Sequence, residues 1–598
     1  MDWKRLISVA RGNAPADTVF RNARIVNSFT GEIEEGSVAL AEGRIAGIGE
    51  YTDARQVVDL RGRYLAPGLI DGHVHLESSL LHVDQYARAV VPHGTLAAVT
   101  DLHEIANVTG LRGIRYIMDC ARRLPLDLFF TAPSCVPSTE METSGARLGP
   151  EDLHQILRWP NVVGIGEVMD FAGVLGGDPE TLAKLRAAGG RGDAATRRHG
   201  DGETGNGSSA AGAGFYGVRG EVREGHAPGL RGRELNGYLA AGIGSDHEST
   251  GLEEGREKLR RGAYLMIREG SAERNLEALL PLVNDHSYHR CMLVVDDRNP
   301  LDLWREGDLD AVVRKAIRLG LDPVRAVQLA SLSPARYFGL EGYGGIGPGY
   351  HANLLVLSDL EQFRIDEVYY RGRLVAREGR PTFRSSTPRA GWINNSVQVK
   401  PFSPDRLALV SEGEGDFPAI EIIPDQILTR RVQVRPRREG GRILPDPDRD
   451  LLKLVVVERH HATGNIGVGL VKGFGLKRGA LGSSLAHDSH NIIAVGASDE
   501  DIQAVVKGIE ESHGGLACTV DGRVVASLPL PIAGLLSREP LETVVEQLEV
   551  LEEAARELGC AVRSPYSILS FLALPVIPEL RLTDLGLVDV TAGKLLKR

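Results

Sequence analysis

Pro67-Gly68-Leu69-Ile70-Asp71-Gly72-His73-Val74-His75-Leu76-Glu77 sets two imidazoles two residues apart at the end of a short apolar run. The Pro-Gly pair reads as a turn, and Leu69-Ile70 as the start of a buried strand. On a strand, residues i and i+2 project to the same side. His73 and His75 can therefore face one metal ion together, with Gly72 keeping the backbone open between them. Two polar residues at an ordinary strand end would look the same, so the rest of the chain has to decide.

From this strand to about residue 340, apolar runs alternate with amphipathic segments such as ETLAKLRAAG and LEEGREKLRRG. The expected strands are 69–75, 96–101, 126–131, 162–167, a poorly defined one before His226, 242–246, 264–268 and 292–296. Eight strand–helix units predict an α/β fold, a (β/α)8 TIM-like barrel over 68–340, whose active site lies at the C-terminal ends of the strands. The polar clusters HVHLE, DLHE, GEVMD, EGHAPG, SDHES, REGS and DDRNP all fall at those ends. Short β-like runs with turns fill 20–66 and return in 341–385, which predicts one small β-domain, 1–67 plus 341–385, split by the barrel. The stretch of about 190–222 is rich in Gly, Ala and charge and reads as a flexible surface insertion. Residues 400–598 alternate strands and helices and predict a C-terminal α+β domain.

With 598 residues the chain is long enough for several domains. Apolar and charged fractions of 42% and 25% are those of a globular protein. A net charge of −11 argues against a nucleic-acid or anionic-membrane binder. No run approaches a membrane span, and the N-terminus lacks the apolar core of a signal peptide. Five scattered cysteines with no C-x-x-C pair fit a reducing, cytoplasmic compartment and exclude a cysteine-ligated zinc site.

The strand ends supply His73 and His75, then Glu167, His226, His247 and Asp296. Four imidazoles and two carboxylates suit two divalent cations bridged by Glu167, and the absence of thiolate leaves Mn2+, Fe2+ and Zn2+ open. Two metals sharing a water would lower its pKa toward about 7, and Asp296 beside it could carry a proton to a leaving group. Only one of Asp296 and Asp297 can face the barrel axis, and Asp296 is preferred. Asp101, His103 and Glu104 fit substrate positioning or rim salt bridges equally well. Arg268 and Glu269 fit a structural pair or substrate contacts, and Asp246 or Glu248 could orient His247. The cluster His487-Asp488-Ser489-His490-Asn491 fits either an interdomain hydrogen-bond network or closure of a pocket over the barrel.

APGLIDGHVHLESS (66–79), DLHEIANV (101–108), GEVMDFAGV (166–174), GHAPGL (225–230), AAGIGSDHEST (240–250), MIREGSA (266–272), DDRNPLDL (296–303) and the C-terminal segments 457–496 and 527–535 resemble the amidohydrolase superfamily. Within it they are similar to the metal-dependent adenine deaminases of bacteria and archaea. The resemblance implies a binuclear Mn2+ or Fe2+ hydrolase that converts adenine and water to hypoxanthine and ammonia, in adenine catabolism and purine salvage. It implies His73, His75, Glu167, His226, His247 and Asp296 as metal ligands, with Glu167 and Asp296 catalytic. Glu77, Asp101, His103, Glu104, Glu248 and Asp297 would bind substrate or orient the ligands. The expected partners are adenine and water, with no nucleic acid or membrane, in a homo-oligomer. The chain departs from the family's Asp-Gly-His at Glu224-Gly225-His226, and the insertion lies where strand five should begin. Another amidohydrolase reaction on the same core, cyclic amide or N-acyl hydrolysis, stays open, as does a non-catalytic protein of this fold.

Overall fold

The computed structural model describes residues 2–188, 222–385, 390–410, 415–423, 426 and 428–596. The insertion expected at 190–222 lies outside them, except for Val222, which opens a strand.

Eight parallel strands form the central ring: β1 (Leu69–Val74), β2 (Thr95–Asp101), β3 (Asp127–Pro133), β4 (Val162–Val168), β5 (Val222–Gly225), β6 (Ser245–Asp246), β7 (Tyr264–Arg268) and β8 (Cys291–Val294). Strands β1 to β5 pair in sequence as one sheet and β6 to β8 as another. Two seams close the ring. Asp296 N donates to His73 O at 3.0 Å and His75 N to Asp296 O at 3.3 Å, while Gly244 N donates to Arg223 O at 2.9 Å. Every residue of β1, β2 and β4 is buried, which is why they read as nearly unbroken apolar runs. Gly72 is required by close packing inside the ring, since a Cβ there would lie 2.7 Å from Met292 Sδ.

Strand six is shorter than the expected 242–246. The helix Gly232–Ala240 is ended by Gly242 at φ +88°, a left-handed position that glycine adopts without strain, so only Ser245–Asp246 is left for the strand.

The strands that precede and follow the barrel share one nine-stranded sheet. The strand Tyr64–Pro67, which runs directly into β1, pairs antiparallel with Leu354–Asp359, Pro67 opposite Leu354. Entry to and exit from the barrel are thus zipped together in a single ladder.

The C-terminal part is built on an eight-stranded sheet with the helices Asp499–Glu511 and Leu541–Glu557. Its central strand Leu451–Val457 is buried on both faces and divides by the two-residue period. Leu451, Val455 and Val457 join a core with Ile502, Val505 and Ile509 of the first helix, whereas Leu452, Leu454 and Val456 belong to the core that also contains the barrel. One face of this sheet is therefore continuous with the barrel core. Hydrogen bonds continue the junction at the strand ends: Thr143 Oγ1 donates to Asp584 Oδ2 at 2.6 Å, and Asn491 Nδ2 to Thr143 O at 2.8 Å. Among the described residues no helix is long and apolar enough to cross a membrane.

Candidate active site

The strand ends converge on Glu167, at the penultimate position of β4. Its Oε1 lies 3.2 Å from His73 Nε2, 3.1 Å from His75 Nε2 and 3.2 Å from His247 Nε2, and its Oε2 lies 3.2 Å from His226 Nδ1. Asp296 Oδ1 lies 3.3 Å from His73 Nε2 and 3.5 Å from His75 Nε2. Two overlapping groups result, His73, His75, Glu167 and Asp296, and Glu167, His226 and His247, each with ligand-type atoms within 4.8 Å of one another. Glu167 belongs to both.

The neighbours fix how these rings present themselves. His73 Nδ1 is hydrogen-bonded to Glu224, so that Nε2, buried and without a hydrogen-bond partner, is left facing Glu167 and Asp296. His75 Nδ1 donates to Asp101 O at 3.3 Å, which turns its Nε2 inward as well. A lone pair aimed into a carboxylate-lined cluster, with the other ring nitrogen tied to an acceptor, is the arrangement a metal-binding histidine needs. The donor set therefore fits divalent cations. Gly225 brings β5 close enough for His226 to take part: a Cβ there would meet Ser245 O at 2.2 Å.

Asp296 is held in an unusual backbone state, φ +67°, which Asp tolerates better than most residues. The paired main-chain bonds to His73 and His75 over-determine it. Its Oδ2 accepts from Arg268 Nη1 at 2.6 Å, and the same guanidinium donates from Nη2 to Glu248 Oε2 at 2.9 Å. Burial pushes the Asp296 carboxyl up, but Arg268 and His73 outweigh it and hold the group well below the usual carboxylate range. Glu167 follows the same pattern, with His247 and His226 overcoming the cost of burial.

The other expected residues line the same end of the barrel. Glu77 is buried and pushed up to about 7 by desolvation and by the charge of Glu104. Asp101 Oδ1 accepts from His103 N at 2.9 Å, and His103 Nε2 lies 3.4 Å from Glu104 Oε1. Asp297 accepts from Ser78 and lines the cavity above the site. Burial, then the adjacent Asp296, raises its carboxyl.

The amidohydrolase family model matches residues 64–375, and the adenine deaminase C-terminal domain model matches 426–594. A Dehalococcoides mccartyi protein named adenine deaminase is 53% identical over 592 residues, 99% of this chain and 98% of its own length. The chain belongs to the adenine deaminase family of amidohydrolases. Proteins of the same name from Desulfatibacillum aliphaticivorans and Methanothrix thermoacetophila are 45% and 44% identical over 98% of this chain, covering 98% and 97% of theirs. Amidohydrolase membership implies a divalent metal, in keeping with the two ligand groups.

Within this adenine deaminase framework the structure adds residues that sequence reasoning missed or left undecided. Glu224 was visible only as a replacement for Asp, yet it orients His73 across the barrel. Its spacing from His226 carried a signal, because i and i+2 on a strand face the same way. Arg268, ambiguous in sequence, joins Asp296 to Glu248, whereas Glu269 turns outward to Lys315. Tyr238 was not singled out; its hydroxyl accepts from His226 N at 2.9 Å and donates to Val168 O at 2.7 Å, pinning β5 to β4. Asp246 does not face the cluster but accepts from Ser249 and Lys258.

Proposed function

We propose that this chain hydrolyses adenine to hypoxanthine and ammonia, with His73, His75, Glu167, His226, His247 and Asp296 holding two divalent cations. The observation that carries this reading is the sharing of Glu167 by two overlapping ligand groups, in a chain matched almost end to end by relatives named adenine deaminase. A set of imidazoles and carboxylates without thiolate suits Mn2+ or Fe2+, with Zn2+ next. When bound, the cations would lower the pKa of water toward about 7 and so supply hydroxide for attack on C6 of the purine.

The rest falls to the chain's own side chains. A C6–O bond forms and the C6–N6 bond breaks; of the two water protons, one leaves with the amine and one ends on ring N1. Asp296 Oδ2 is occupied by Arg268, so Oδ1, facing the imidazoles, is the atom that takes a proton and passes it to the departing amine. Arg268 keeps that carboxyl ionised. Glu248 acts through Arg268 and Asp101 through His75, against whose ring His103 packs edge-on, while Glu77, Glu104 and Asp297 border the space for the ring.

The five cysteines are free, which suits a reducing compartment, and we place the enzyme in the cytoplasm. The division of labour follows the boundaries 1–67 with 341–385, 68–340 and 400–598. Ammonia release and the ultraviolet change from adenine to hypoxanthine, with Mn2+ or Fe2+ supplied, test the reading. Turnover of a cyclic amide or N-acyl substrate but not of adenine would overturn it.

A further inference from the structure

A cavity of about 120 Å3 lies between the barrel and the C-terminal part. Glu77, Glu104 and Asp297 line it from the barrel, and His487, His490 and Phe571 from the other side. The two sides meet at Glu104. His487 Nδ1 donates to Glu104 Oε1 at 2.8 Å, and His490 Nε2 donates to Glu104 Oε2.

Two imidazoles and a carboxylate at one place invite a third metal, but the hydrogen bonds argue against it. Ala486 N donates to His490 Nδ1 at 3.3 Å. A neutral ring that accepts at Nδ1 carries its proton on Nε2, so His490 has no lone pair to offer a cation in the direction of Glu104. It is a hydrogen-bond donor. Arg459, wholly buried, fixes the loop that carries it, donating to His490 O, to Ser396 O at 3.2 Å and to Ala533 O at 3.1 Å.

His487 is held just as closely, but not at both nitrogens. Its main-chain N donates to Ser570 O at 3.1 Å, and its ring stacks on Phe571 with centroids 4.6 Å apart and planes at 21°. Among the described residues Nε2 has no hydrogen-bond partner, and the side chain is 14% exposed, on the wall of the cavity. Burial alone would lower its pKa, but the charge and hydrogen bond of Glu104 prevail and lift it to about 9. At neutral pH both ring nitrogens then carry protons, one bound to Glu104 and one turned to the cavity. A carboxylate orienting one nitrogen while the other meets a reactant is a recurrent way to use histidine.

We propose that His487 is a purine-contacting residue which the C-terminal part delivers to the barrel, its Nε2–H donating to a ring nitrogen of the substrate. Glu104, His490 and Arg459 are its positioning residues. The assignment rests on the adenine reading above for the identity of the ring.

Two substitutions separate the nitrogens of His487. In His487→Asn the amide sits near Nδ1 and keeps the bond to Glu104 but nothing reaches the cavity. In His487→Gln the amide extends to the place of Nε2, keeping the cavity donor and giving up Glu104. The measurements on the full-length, metal-loaded protein are KM and kcat for adenine, the Kd of purine by calorimetry, and metal content. Loss of a charged hydrogen bond in His487→Asn is expected to raise KM and the purine Kd about tenfold or more, with smaller change in kcat. His487→Gln should retain most of the affinity despite a lower Tm, and metal content should be that of the parent in both. Equal loss in both variants, loss in His487→Gln alone, or no loss in either would overturn the assignment. If the parent protein binds purine through His487 but does not turn over adenine, the substrate reading falls and this contact stands.

Discussion

His73, His75 and Asp296 on one side of Glu167 have side-chain exposures of 1%, 4% and 4%, whereas His226 on the other side is 23% exposed. The first group stands on β1, six buried residues paired with β2 and tied to the end of β8. The second stands on β5 and β6, four and two residues long, and the pairing of β5 with β4 slips between Arg223 and Gly225. The orienting partners differ too. His73 is held by a buried carboxylate, whereas His226 is fixed through its main-chain N by Tyr238. Two cations sharing Glu167 would thus sit in unlike halves: one enclosed by buried ligands on long strands, the other on short strands between buried His247 and part-exposed His226.

Four measurements break or sharpen this contrast. Glu167→Gln removes the shared ligand; kcat/KM should fall on the order of a thousandfold or more, with metal content dropping from about two per chain toward zero. Activity or metal persisting in this variant would sink the shared-carboxylate picture. Next, His226→Ala should cost on the order of a hundredfold in activity but keep about one metal, whereas His73→Ala should lose both. Elemental analysis decides it, and a chelator should strip the parent protein in two phases, the faster belonging to the His226 side. Retention of the same count in both alanine variants would mean the halves are equivalent. Third, Glu224→Gln leaves the His73 ring in place but weakens its orientation; metal affinity should fall about 10–100-fold, with KM for adenine nearly unchanged at saturating metal. Last, Tyr238→Phe removes the hydroxyl that links His226 N to Val168 O and should weaken only the faster-exchanging metal, by about fivefold. A larger effect on the slower phase would show that Tyr238 serves the whole centre.

The same contrast explains what was legible in the sequence. β1, β2 and β4 announce themselves because strands buried on both faces are apolar throughout and end abruptly in polar ligands. That pattern, repeated around the ring, was enough for the barrel and for bringing His73, His75, Glu167, His247 and Asp296 to one end. β5 and β6 are too short to carry such a signal: Gly242 ends a helix where a strand was expected, and β5 has only Val222 before its charged residues. The roles of Glu224 and Arg268 depend on distances across the ring, between strands far apart in sequence, which no local pattern encodes. The bonds from His487 and His490 to Glu104 span nearly the whole barrel and part of the next unit, so the sequence could offer only a dense polar cluster without a partner.

The ladder between Tyr64–Pro67 and Leu354–Asp359 bears on how the chain is made. The strand that opens the barrel leaves the ribosome long before the strand that seals it. At about 5–20 residues per second, the wait between Pro67 and Leu354 is roughly a quarter of a minute to one minute. During that interval Tyr64–Pro67 has an unpaired edge, and neighbouring nascent chains could pair with it. Closing so long a loop adds little free energy, because the cost grows only with the logarithm of its length, so the delay is kinetic. The early sheet, Ala16–Asn27 through Ala54–Asp59, can form first and shelter one side of that strand until its partner arrives.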